Sequence, residues 1–325
     1  MSTEQIPPGF AHLGQAGSHI AYTYHAESER QDCLFAYISA GLRNREKCIA
    51  AVPEYTADFW MDGLRMRGIE SESVPDGQLE ILTASRLLRG SAIHALDDTL
   101  GKIVEPSAAE GWQGTRICTG LTDLYHHKDM LPELFMTECR LNDLIDGRPI
   151  TLLCTFDSSS LHPRLLETCL RCHPIITDGT SLTHNHAYQE TAHLLDSLPE
   201  VLQELDDTGA LIPPFALLDF CNDMPLICAG DEMDFYTAPR LEELADRMVG
   251  VGHRRLVVDL SGTSFMDAAS IHALARIALN LKGKGGRLAI CDPVEPPRKI
   301  FGLVGFHELV PICRRLDEAI QAAHA

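Results

Sequence analysis

Short apolar runs alternate with stretches of helical period along the first half of the chain. The apolar runs have the length of buried strands, and the stretches between them repeat their apolar positions every three or four residues. Strands are predicted at residues 19–24, 47–52, 79–82, 115–118 and 150–155. Helices are predicted at residues 31–42, 57–68, 93–105 and 131–145. This alternation favours a parallel α/β sheet with helices on its faces.

A second strand-to-helix pattern stands in the last third of the chain. Residues 256–260 are predicted as a buried strand, and after Asp267 the apolar period becomes helical. The apolar face of this helix carries Ile271, Leu274, Ala275, Ala278 and Leu281. A helix precedes the strand, and a further strand, a short helix, a short strand and a final helix follow. The turn before residue 268 should therefore present the free N–H groups of a helix start to solvent.

Composition narrows the classes of function. A chain of 325 residues allows about two domains. A formal charge of -19 argues against general binding to nucleic acid and to anionic membrane surfaces, and the longest apolar runs are too short to span a bilayer. The first residues lack the basic and apolar regions of a signal peptide, and eleven cysteines in that context are typical of a reducing compartment. We therefore expect a cytoplasmic protein.

The last third resembles a STAS domain, the anti-sigma factor antagonist module, over residues 214–325. The motifs that carry the resemblance are Gly230-Asp231 to Thr237-Ala238, Asp259-Leu260-Ser261, Phe265-Met266-Asp267, Gly285-Gly286 and Gly302-Leu303-Val304-Gly305-Phe306. The resemblance implies an α/β domain with a mixed sheet, and a partner that is an anti-sigma factor or a switch-type protein kinase. It places partner-binding residues at the turn and the helix start: Thr263, Ser264, Asp267, Ala269 and Ser270.

The chain departs from this family at the position of phosphorylation. In phosphorylated members, the acceptor hydroxyl lies two residues after the aspartate matched by Asp267, and that position is Ala269 here. An alanine cannot accept a phosphate. The adjacent Ser270 either substitutes as the acceptor or packs and caps the first helical turn, and the second interpretation is favoured. We therefore expect no phospho-switch at the usual position.

The first strand, loop and helix are similar to the opening of a RecA-type nucleotide-binding core. Such cores carry GxxxxGK[ST] in that loop, where glycines wrap the phosphates and lysine reaches them. The loop here has neither glycine nor lysine. We therefore expect a RecA-like fold without ATPase activity, and no other catalytic motif stands in the sequence.

Residues 17–178 also resemble the MEDS sensory domain. The matching pieces are His19-Ile20 with Tyr22 and Tyr24, Gly41-Leu42 with Glu46-Lys47-Cys48, Gly68-Ile69, Gly111-Trp112 with Arg116-Ile117, Glu138 with Asn142, Leu152-Leu153-Cys154, and Cys172-His173-Pro174. The resemblance implies that this domain senses a ligand or a signal, and it names no cofactor.

A small-molecule pocket is predicted where the first strand ends. Ligands of open α/β sheets bind outside the carboxyl ends of the strands. The candidate residues there are Tyr22, Tyr24, His25, Ser28, Arg30 and Asp157. Two alternatives stand beside this prediction: the loop closes on itself through Arg30 and two glutamates, or Asp157 caps the turn that follows it.

Cysteine and histidine clusters suggest a metal or haem sensor as a weaker alternative. Cys169, Cys172 and His173 form a CxxCH pattern, the spacing of covalent haem attachment. A reversible metal or redox site and ordinary core packing are the other interpretations. His184, His186 and His193, and the pair His126-His127, are interpreted as surface histidines.

Residues 179–213 are predicted to connect the two domains. Residues 188–205 carry an apolar stripe that Pro199 interrupts or bends, and the stripe must bury itself against a domain or a second copy of the chain. The predicted organisation is a tail at 1–18, a MEDS-like domain at 19–178, a helical connector at 179–213 and a STAS domain at 214–325. Either a signalling helix, which allows a homo-oligomer, or a packed structural helix fits the connector.

Together these observations predict a cytoplasmic regulator rather than an enzyme. A RecA-like α/β sensor domain would control a STAS output domain that binds an anti-sigma factor or a switch-type kinase. The alternative is a ligand-binding scaffold in a signalling assembly without any link to sigma factors.

Overall fold

The structure is a computed structural model. It describes residues 17–52, 54–82, 110–120, 122, 125, 131–207, 216–221, 223–291, 293 and 295–325. The chain divides into two compact units, the first reaching residue 212 and the second starting at residue 213, with residues 54–56 grouped with the second. The helix predicted at 93–105 and the pair His126-His127 lie outside the described residues.

Strands and helices alternate through the first unit. They are β1 Ser18–Tyr24, α1 Glu27–Arg43, β2 Lys47–Ala51, α2 Ala57–Met66, β3 Leu79–Ile81, β4 Thr115–Thr119, α3 Leu131–Ile145, β5 Ile150–Asp157, α4 Pro163–Arg171, β6 Ile175–Thr177, β7 Leu182–His184 and α5 Thr191–Asp207. The seven strands form one sheet in the order β3-β2-β4-β5-β1-β6-β7. Its pairings are parallel except for β7, which runs antiparallel to β6. The predicted parallel α/β sheet is confirmed.

The helix α1 begins four residues earlier than the apolar period predicts. The period marks residue 31, whereas the helix starts at Glu27. The carboxylate of Glu29 accepts hydrogen bonds from the backbone N–H groups of His25 and Ala26, at 2.9 Å and 3.2 Å. These bonds satisfy N–H groups that a helix start leaves free, so the polar turn can be helical without an apolar face. Most of the predicted loop is therefore helix.

The segment after α4 belongs to the first unit. The strands β6 and β7, which the sequence pattern did not predict, extend the sheet beyond β1. The helix α5 continues through Pro199, and its leucines pack into the same core as α3 and β5. The apolar stripe of residues 188–205 is thus covered by the first unit itself. The helix α5 is therefore packed as a structural helix of the first unit.

A buried ion pair fixes α1 against the sheet. Arg116 on β4 donates from Nε to the carboxylate of Glu46 at 2.6 Å, and both side chains are buried. The guanidinium also lies 4.8 Å from the ring centroid of Tyr37. A Cβ atom at Gly41 would lie 2.8 Å from the Arg116 side chain, which explains a glycine inside this helix.

The second unit contains a five-stranded sheet and a two-stranded ladder. Its elements are β8 Ala216–Cys221, β9 Met224–Ala229, β10 Glu232–Met233, α6 Ala238–Gly250, β11 Arg255–Asp259, β12 Phe265–Met266, α7 Ala268–Gly283, β13 Arg287–Cys291, α8 Glu295–Leu303, β14 Ile312–Cys313 and α9 Leu316–His324. The large sheet has the order β14-β13-β11-β9-β8, with only β8 antiparallel to its neighbour, and β10 pairs with β12. The predicted mixed α/β fold is confirmed.

The glycine pair between α7 and β13 has a steric cause. Gly285 has a φ of 72°, in the left-handed region that favours glycine. A Cβ atom at Gly286 would lie 2.0 Å from the carbonyl oxygen of Arg254. Both positions therefore require glycine for the turn that brings β13 alongside β11.

Over the described ranges of the chain, no helix combines the length and the apolar character that a membrane crossing needs.

Candidate functional site

The crevice predicted at the end of β1 is filled by the protein's own side chains. Tyr24 and Arg30 are buried there. The Arg30 guanidinium donates hydrogen bonds to the Gly120 carbonyl at 3.2 Å and to Thr155 Oγ1 at 3.3 Å. It also lies 5.5 Å from the centroid of the Tyr24 ring. These contacts tie the ends of β1, β4 and β5 together and leave little room for a ligand at this point.

The exposed members of the predicted pocket close the turns at the strand ends. His25 Nδ1 forms a short contact with the Ser158 hydroxyl, which donates to the Tyr24 carbonyl at 2.7 Å. Asp157 accepts hydrogen bonds from the Ser159 backbone at 2.8 Å and from the Ser159 hydroxyl at 2.6 Å. This is the capping role considered as the alternative for Asp157.

The amino end of α1 carries a carboxylate where a phosphate loop would carry a ligand. Hydrogen bonds from the backbone N–H groups of His25 and Ala26 lower the pKa of Glu29, so this side chain is ionised at neutral pH. An anion at the same N–H groups would meet a negative charge. The geometry therefore disfavours phosphate at this helix start.

A cavity of about 390 Å³ lies beside the predicted crevice, towards β6 and β7. Tyr22 is the member of the predicted pocket that lines it. The other lining residues are Thr23, Glu29, Ile176, Thr177, Asp178, Ser181 and Thr183. Backbone N–H groups of Ser181 and Thr180 lower the pKa of Asp178 to about 2. The lining offers hydroxyls and two carboxylates, which suits a small polar molecule.

Four side chains of metal-binding types converge inside the first unit. His19 Nε2 lies 3.2 Å from Cys154 Sγ and 3.4 Å from Glu138 Oε2. Glu138 Oε2 lies 3.7 Å from Cys154 Sγ and 3.6 Å from His173 Nε2. The four donor atoms all lie within 4.8 Å of one another. We call these four residues the inner cluster.

Strand register brings the inner cluster together. Ala21 of β1 pairs with Cys154 of β5, and His19 lies two residues before Ala21. Because residues two apart in a strand share a face, His19 and Cys154 project to the same side of the sheet. The helix α3 supplies Glu138 to that side, and His173 follows directly after α4.

Neighbouring groups orient each side chain of the inner cluster. Asn142 accepts at Oδ1 from His19 Nδ1 at 2.9 Å, and the Cys169 carbonyl accepts from His173 Nδ1 at 2.8 Å. Tyr125 donates its hydroxyl to Glu138 Oε1 at 2.8 Å, and Thr119 donates to Cys154 Sγ at 3.3 Å. The Nε2 atoms and Oε2 are thereby aimed at one point.

The charge states inside the cluster follow from burial and from these contacts. Burial alone would raise the pKa of Glu138, but the contacts with the two histidines and with Tyr125 outweigh it and lower that pKa to about 2. Burial and the neighbouring His19 lower the pKa of His173 to about 3. Burial and the charge of Glu138 raise the pKa of the Cys154 thiol. At neutral pH the cluster therefore holds a carboxylate and a neutral His173.

The sequence pattern identified one member of this cluster and missed three. Of the CxxCH residues, His173 belongs to it, whereas Cys169 contributes its carbonyl and Cys172 donates its thiol to the Thr168 carbonyl at 3.5 Å. His19, Glu138 and Cys154 lie far apart along the chain. One feature of the sequence could have revealed the cluster: all four residues belong to the short motifs that resemble the MEDS domain.

In the second unit, the turn before α7 is held by internal hydrogen bonds. Thr263 is buried and donates its hydroxyl to the Gly230 carbonyl at 2.8 Å. Asp267 accepts at Oδ1 from the backbone and the hydroxyl of Ser270, at 3.0 Å and 3.1 Å, and at Oδ2 from the Phe235 N–H at 3.0 Å. The N–H of Ser270 is the main cause of the lowered pKa of Asp267.

The predicted partner-binding residues divide by exposure. Thr263 and Ser270 are buried and hold the turn together, whereas Ser264 is exposed and Asp267 and Ala269 are half-buried. The hydroxyl of Ser270 is therefore inside, engaged with Asp267, as expected of a residue that packs and caps the first helical turn.

Three aromatic side chains stand exposed beside this turn, and the sequence analysis did not single them out. Phe235 is 70% exposed, Tyr236 86% and Phe265 50%. Phe235 and Tyr236 stack edge to face with centroids 5.6 Å apart, and Phe265 lies on β12, which pairs with β10 just before them. Single exposed apolar residues are ordinary, whereas a cluster marks an interaction surface. We call these three residues the aromatic patch. The sequence feature that could have revealed it is the pair of adjacent aromatic residues, Phe235 and Tyr236, in a polar turn.

Comparison with known proteins assigns both halves of the chain. The model of the MEDS family, described as the methanogen/methylotroph, DcmR sensory domain, matches residues 18–174, and the model of the STAS domain matches residues 223–319. BtrV of Bordetella bronchiseptica, assigned as an anti-sigma factor antagonist, is 25% identical over 105 residues, which cover 32% of this chain and 90% of BtrV.

Solved structures are also similar to parts of the chain. An anti-sigma factor antagonist from Mycobacterium paratuberculosis is 26% identical, with a TM-score of 0.32, and the match covers 34% of this chain and 93% of that one. The flagellar accessory protein FlaH from Methanocaldococcus jannaschii is 15% identical, with a TM-score of 0.36, over 54% of this chain and 83% of that one. The family matches place the inner cluster in one domain and the aromatic patch in the other: the chain carries a MEDS domain at residues 18–174 followed by a STAS domain at residues 223–319.

Proposed function

We propose that this chain is an anti-sigma factor antagonist whose STAS domain binds an anti-sigma factor or a switch-type protein kinase. The family matches and the antagonist relatives support a regulatory role of this class. The observation that carries the proposal is the aromatic patch at the capped start of α7. An apolar surface of this kind, rimmed by polar groups, is what a protein partner covers.

The proposed contact surface combines the aromatic patch with the accessible part of the turn. Ser264, Asp267 and Ala269 lie at the surface of the turn, next to Phe265 and Phe235. Aromatic side chains contribute large contact area at low entropic cost and are enriched among the residues that dominate binding energy. The function we propose is therefore binding, without a chemical step.

Ala269→Glu tests this surface. The new carboxylate would lie near the positive end of the α7 dipole, so the fold should tolerate it, with a gain of about 0.3–1 kcal/mol. In an interface the same charge would be desolvated without a partner, and a cost of about 3 kcal/mol or more corresponds to a loss of over about 100-fold in affinity.

The experiment uses the full-length chain and a partner captured from native cell extract, identified by mass spectrometry and then purified. We expect Ala269→Glu to fold normally and to lose the partner, while Gln321→Glu, a matched charge on the exposed side of α9, binds as wild type does. Equal binding by both variants would show that this face is not the output surface. Capture of a partner unrelated to sigma-factor regulation would favour the scaffold alternative.

The proposal includes the absence of a phospho-switch in the turn. Ala269 has no hydroxyl, and the Ser270 hydroxyl is buried against Asp267. Incubation with the partner kinase and ATP, followed by mass spectrometry, should find no phosphate on residues 263–270. Stoichiometric modification of Ser270 would contradict this and would require the first turn of α7 to open.

Control by the MEDS domain is the second part of the proposal. The cavity of about 390 Å³ beside Tyr22 supports ligand sensing in this domain. Thr183→Trp would place an indole in that cavity, and Ser71→Trp is a matched control on an exposed residue of the first unit outside its lining. We expect the first variant, and not the second, to change partner affinity. Unchanged affinity in both would argue against control through this cavity.

A further inference from the structure

The donor atoms of the inner cluster have the spacing of a tetrahedral metal site. Around Zn²⁺, with bonds of about 2.0–2.2 Å to nitrogen and oxygen and about 2.3 Å to sulfur, tetrahedral donors lie about 3.3–3.6 Å apart. Four of the six separations among His19, Glu138, Cys154 and His173 lie between 3.2 Å and 3.7 Å. All six are within 4.8 Å. Small side-chain shifts would bring the set to bonding geometry.

Hydrogen bonds fix which atom of each histidine faces the centre. The backbone carbonyl of Cys169 can only accept, so the proton of His173 is on Nδ1 and the lone pair is on Nε2. Asn142 donates its amide to the Cys172 carbonyl at 2.9 Å, which leaves its Oδ1 to accept from His19 Nδ1 at 2.9 Å. Histidines that bind metals commonly donate their outer N–H to an oxygen acceptor, such as a carboxylate or a backbone carbonyl.

The lone pairs aimed at the centre require a positive charge between them. His173 Nε2 is fully buried, and among the described residues it has no hydrogen-bond partner. It faces the Glu138 carboxylate at 3.6 Å, and His19 Nε2 faces the same oxygen at 3.4 Å. Buried acceptors that face one another are costly unless a proton or a cation joins them.

We propose that His19, Glu138, Cys154 and His173 bind one divalent transition-metal ion of the zinc class. Imidazole and thiolate select such ions over Mg²⁺ and Ca²⁺, which prefer oxygen donors. On binding, the Cys154 thiol releases its proton to solvent, so one thiolate and one carboxylate balance the two positive charges of the ion. The ion would join β1, β5, α3 and the segment after α4.

The proposed site is closed. His19 and His173 are fully buried, and the Glu138 side chain is 12% exposed. With four protein donors and no exposed position, the ion has the coordination of structural sites rather than of catalytic ones, which keep a place for water. The inference concerns the core of the MEDS domain and does not depend on the partner of the STAS domain.

The test uses the full-length chain, stripped with a chelator and titrated with Co²⁺ and then Zn²⁺. We expect one ion per chain, the visible bands of tetrahedral Co²⁺, a thiolate-to-cobalt charge-transfer band, and displacement of Co²⁺ by Zn²⁺. Cys154→Ser should abolish the charge-transfer band, whereas Cys33→Ser, which removes a buried thiol outside the cluster, should leave it unchanged. Asn142→Leu, which removes no donor atom, should weaken metal binding by about 10–100-fold.

The wild-type chain alone decides the question if variants fail to fold. Zn²⁺ should raise the melting temperature of the stripped protein, because an ion that binds only the folded chain stabilises it. No uptake of either ion, or no shift of the melting temperature, would overturn the proposal. A charge-transfer band that persists in Cys154→Ser would also overturn it.

Discussion

The inner cluster of the MEDS domain and the α7 turn of the STAS domain use polar side chains in opposite ways. In the cluster, His19, Glu138 and His173 each place one polar atom in a hydrogen bond and aim another at a shared buried point. In the turn, Asp267 satisfies the backbone N–H groups of Ser270 and Phe235 with its own two oxygens. The first arrangement leaves polar atoms that face a shared buried point, whereas in the second both oxygens of Asp267 are already paired.

This difference indicates what each region can bind. A buried point faced by lone pairs suits a cation. At the turn, both oxygens of Asp267 are already paired, so recognition there relies mainly on apolar area, which the aromatic patch provides. Buried polar atoms that lack partners within the described residues suit an ion. An apolar patch beside polar atoms that are already paired suits a protein.

We assume that the interior of the MEDS domain tolerates charge only when it is paired. Arg116→Ala breaks this condition, because it leaves the buried Glu46 carboxylate without its cation. We expect a loss of about 3–5 kcal/mol in the free energy of unfolding, measured by urea denaturation. The control is Arg65→Ala, which removes an exposed pair with Asp62 and should cost about 0–1 kcal/mol. Equal costs for the two variants would contradict the assumption.

The sequence pattern predicts the framework of both domains because burial dictates it. The bounds of α3 at residues 131–145 agree with the prediction, and β1 and β2 differ by one residue at an end. The start of α1 was wrong because Glu29 caps a polar turn, and a carboxylate cap leaves no apolar period. The strands β6 and β7 were missed because three residues are too few to show an alternating pattern.

The sites were harder to predict than the framework. The inner cluster draws on residues 19, 138, 154 and 173, and only the pairing of β1 with β5 and the packing of α3 on them bring these together. The aromatic patch combines Phe235 with Phe265 through the β10–β12 ladder. Such proximity depends on tertiary structure, whereas composition and spacing report only local order.

The aromatic patch should contribute to partner binding and little to stability. Phe235→Ser with Tyr236→Ser removes exposed apolar area, so the free energy of unfolding should change by less than about 0.5 kcal/mol. Partner affinity should fall by about 30-fold or more, the effect of losing a dominant contact of about 2 kcal/mol. Met66→Ser, at a side chain 86% exposed in the first unit, should leave affinity unchanged. Calorimetric titration with the purified partner measures the affinity of each variant, and urea denaturation measures its free energy of unfolding. Unchanged affinity in the double variant would exclude the patch as a binding surface.

The Asp267 cap gives a smaller effect on stability. Asp267→Ala removes the acceptor for the Ser270 N–H and should cost about 1 kcal/mol. Because the pKa of Asp267 is lowered from its reference of 3.8 in the folded chain, its contribution is present above pH 3.8 and is lost as the pH falls through the folded value. Urea midpoints of wild type and variant should therefore converge at acid pH, and a constant difference down to pH values well below 3.8 would contradict this role.

The smallest expected effect is the absence of nucleotide binding at α1. The N–H groups at the start of this helix are held by the Glu29 carboxylate, and Arg30 fills the crevice behind them with contacts to Gly120 and Thr155. Magnesium-ATP added to the full-length chain should therefore give no heat beyond dilution. Glu29→Ala removes the competing charge, but the loop still lacks glycine and lysine. We therefore expect no heat of binding from this variant either. Binding by the variant alone would identify the carboxylate as the barrier, and micromolar affinity in the wild type would contradict the expectation that this loop, without glycine and lysine, holds no nucleotide.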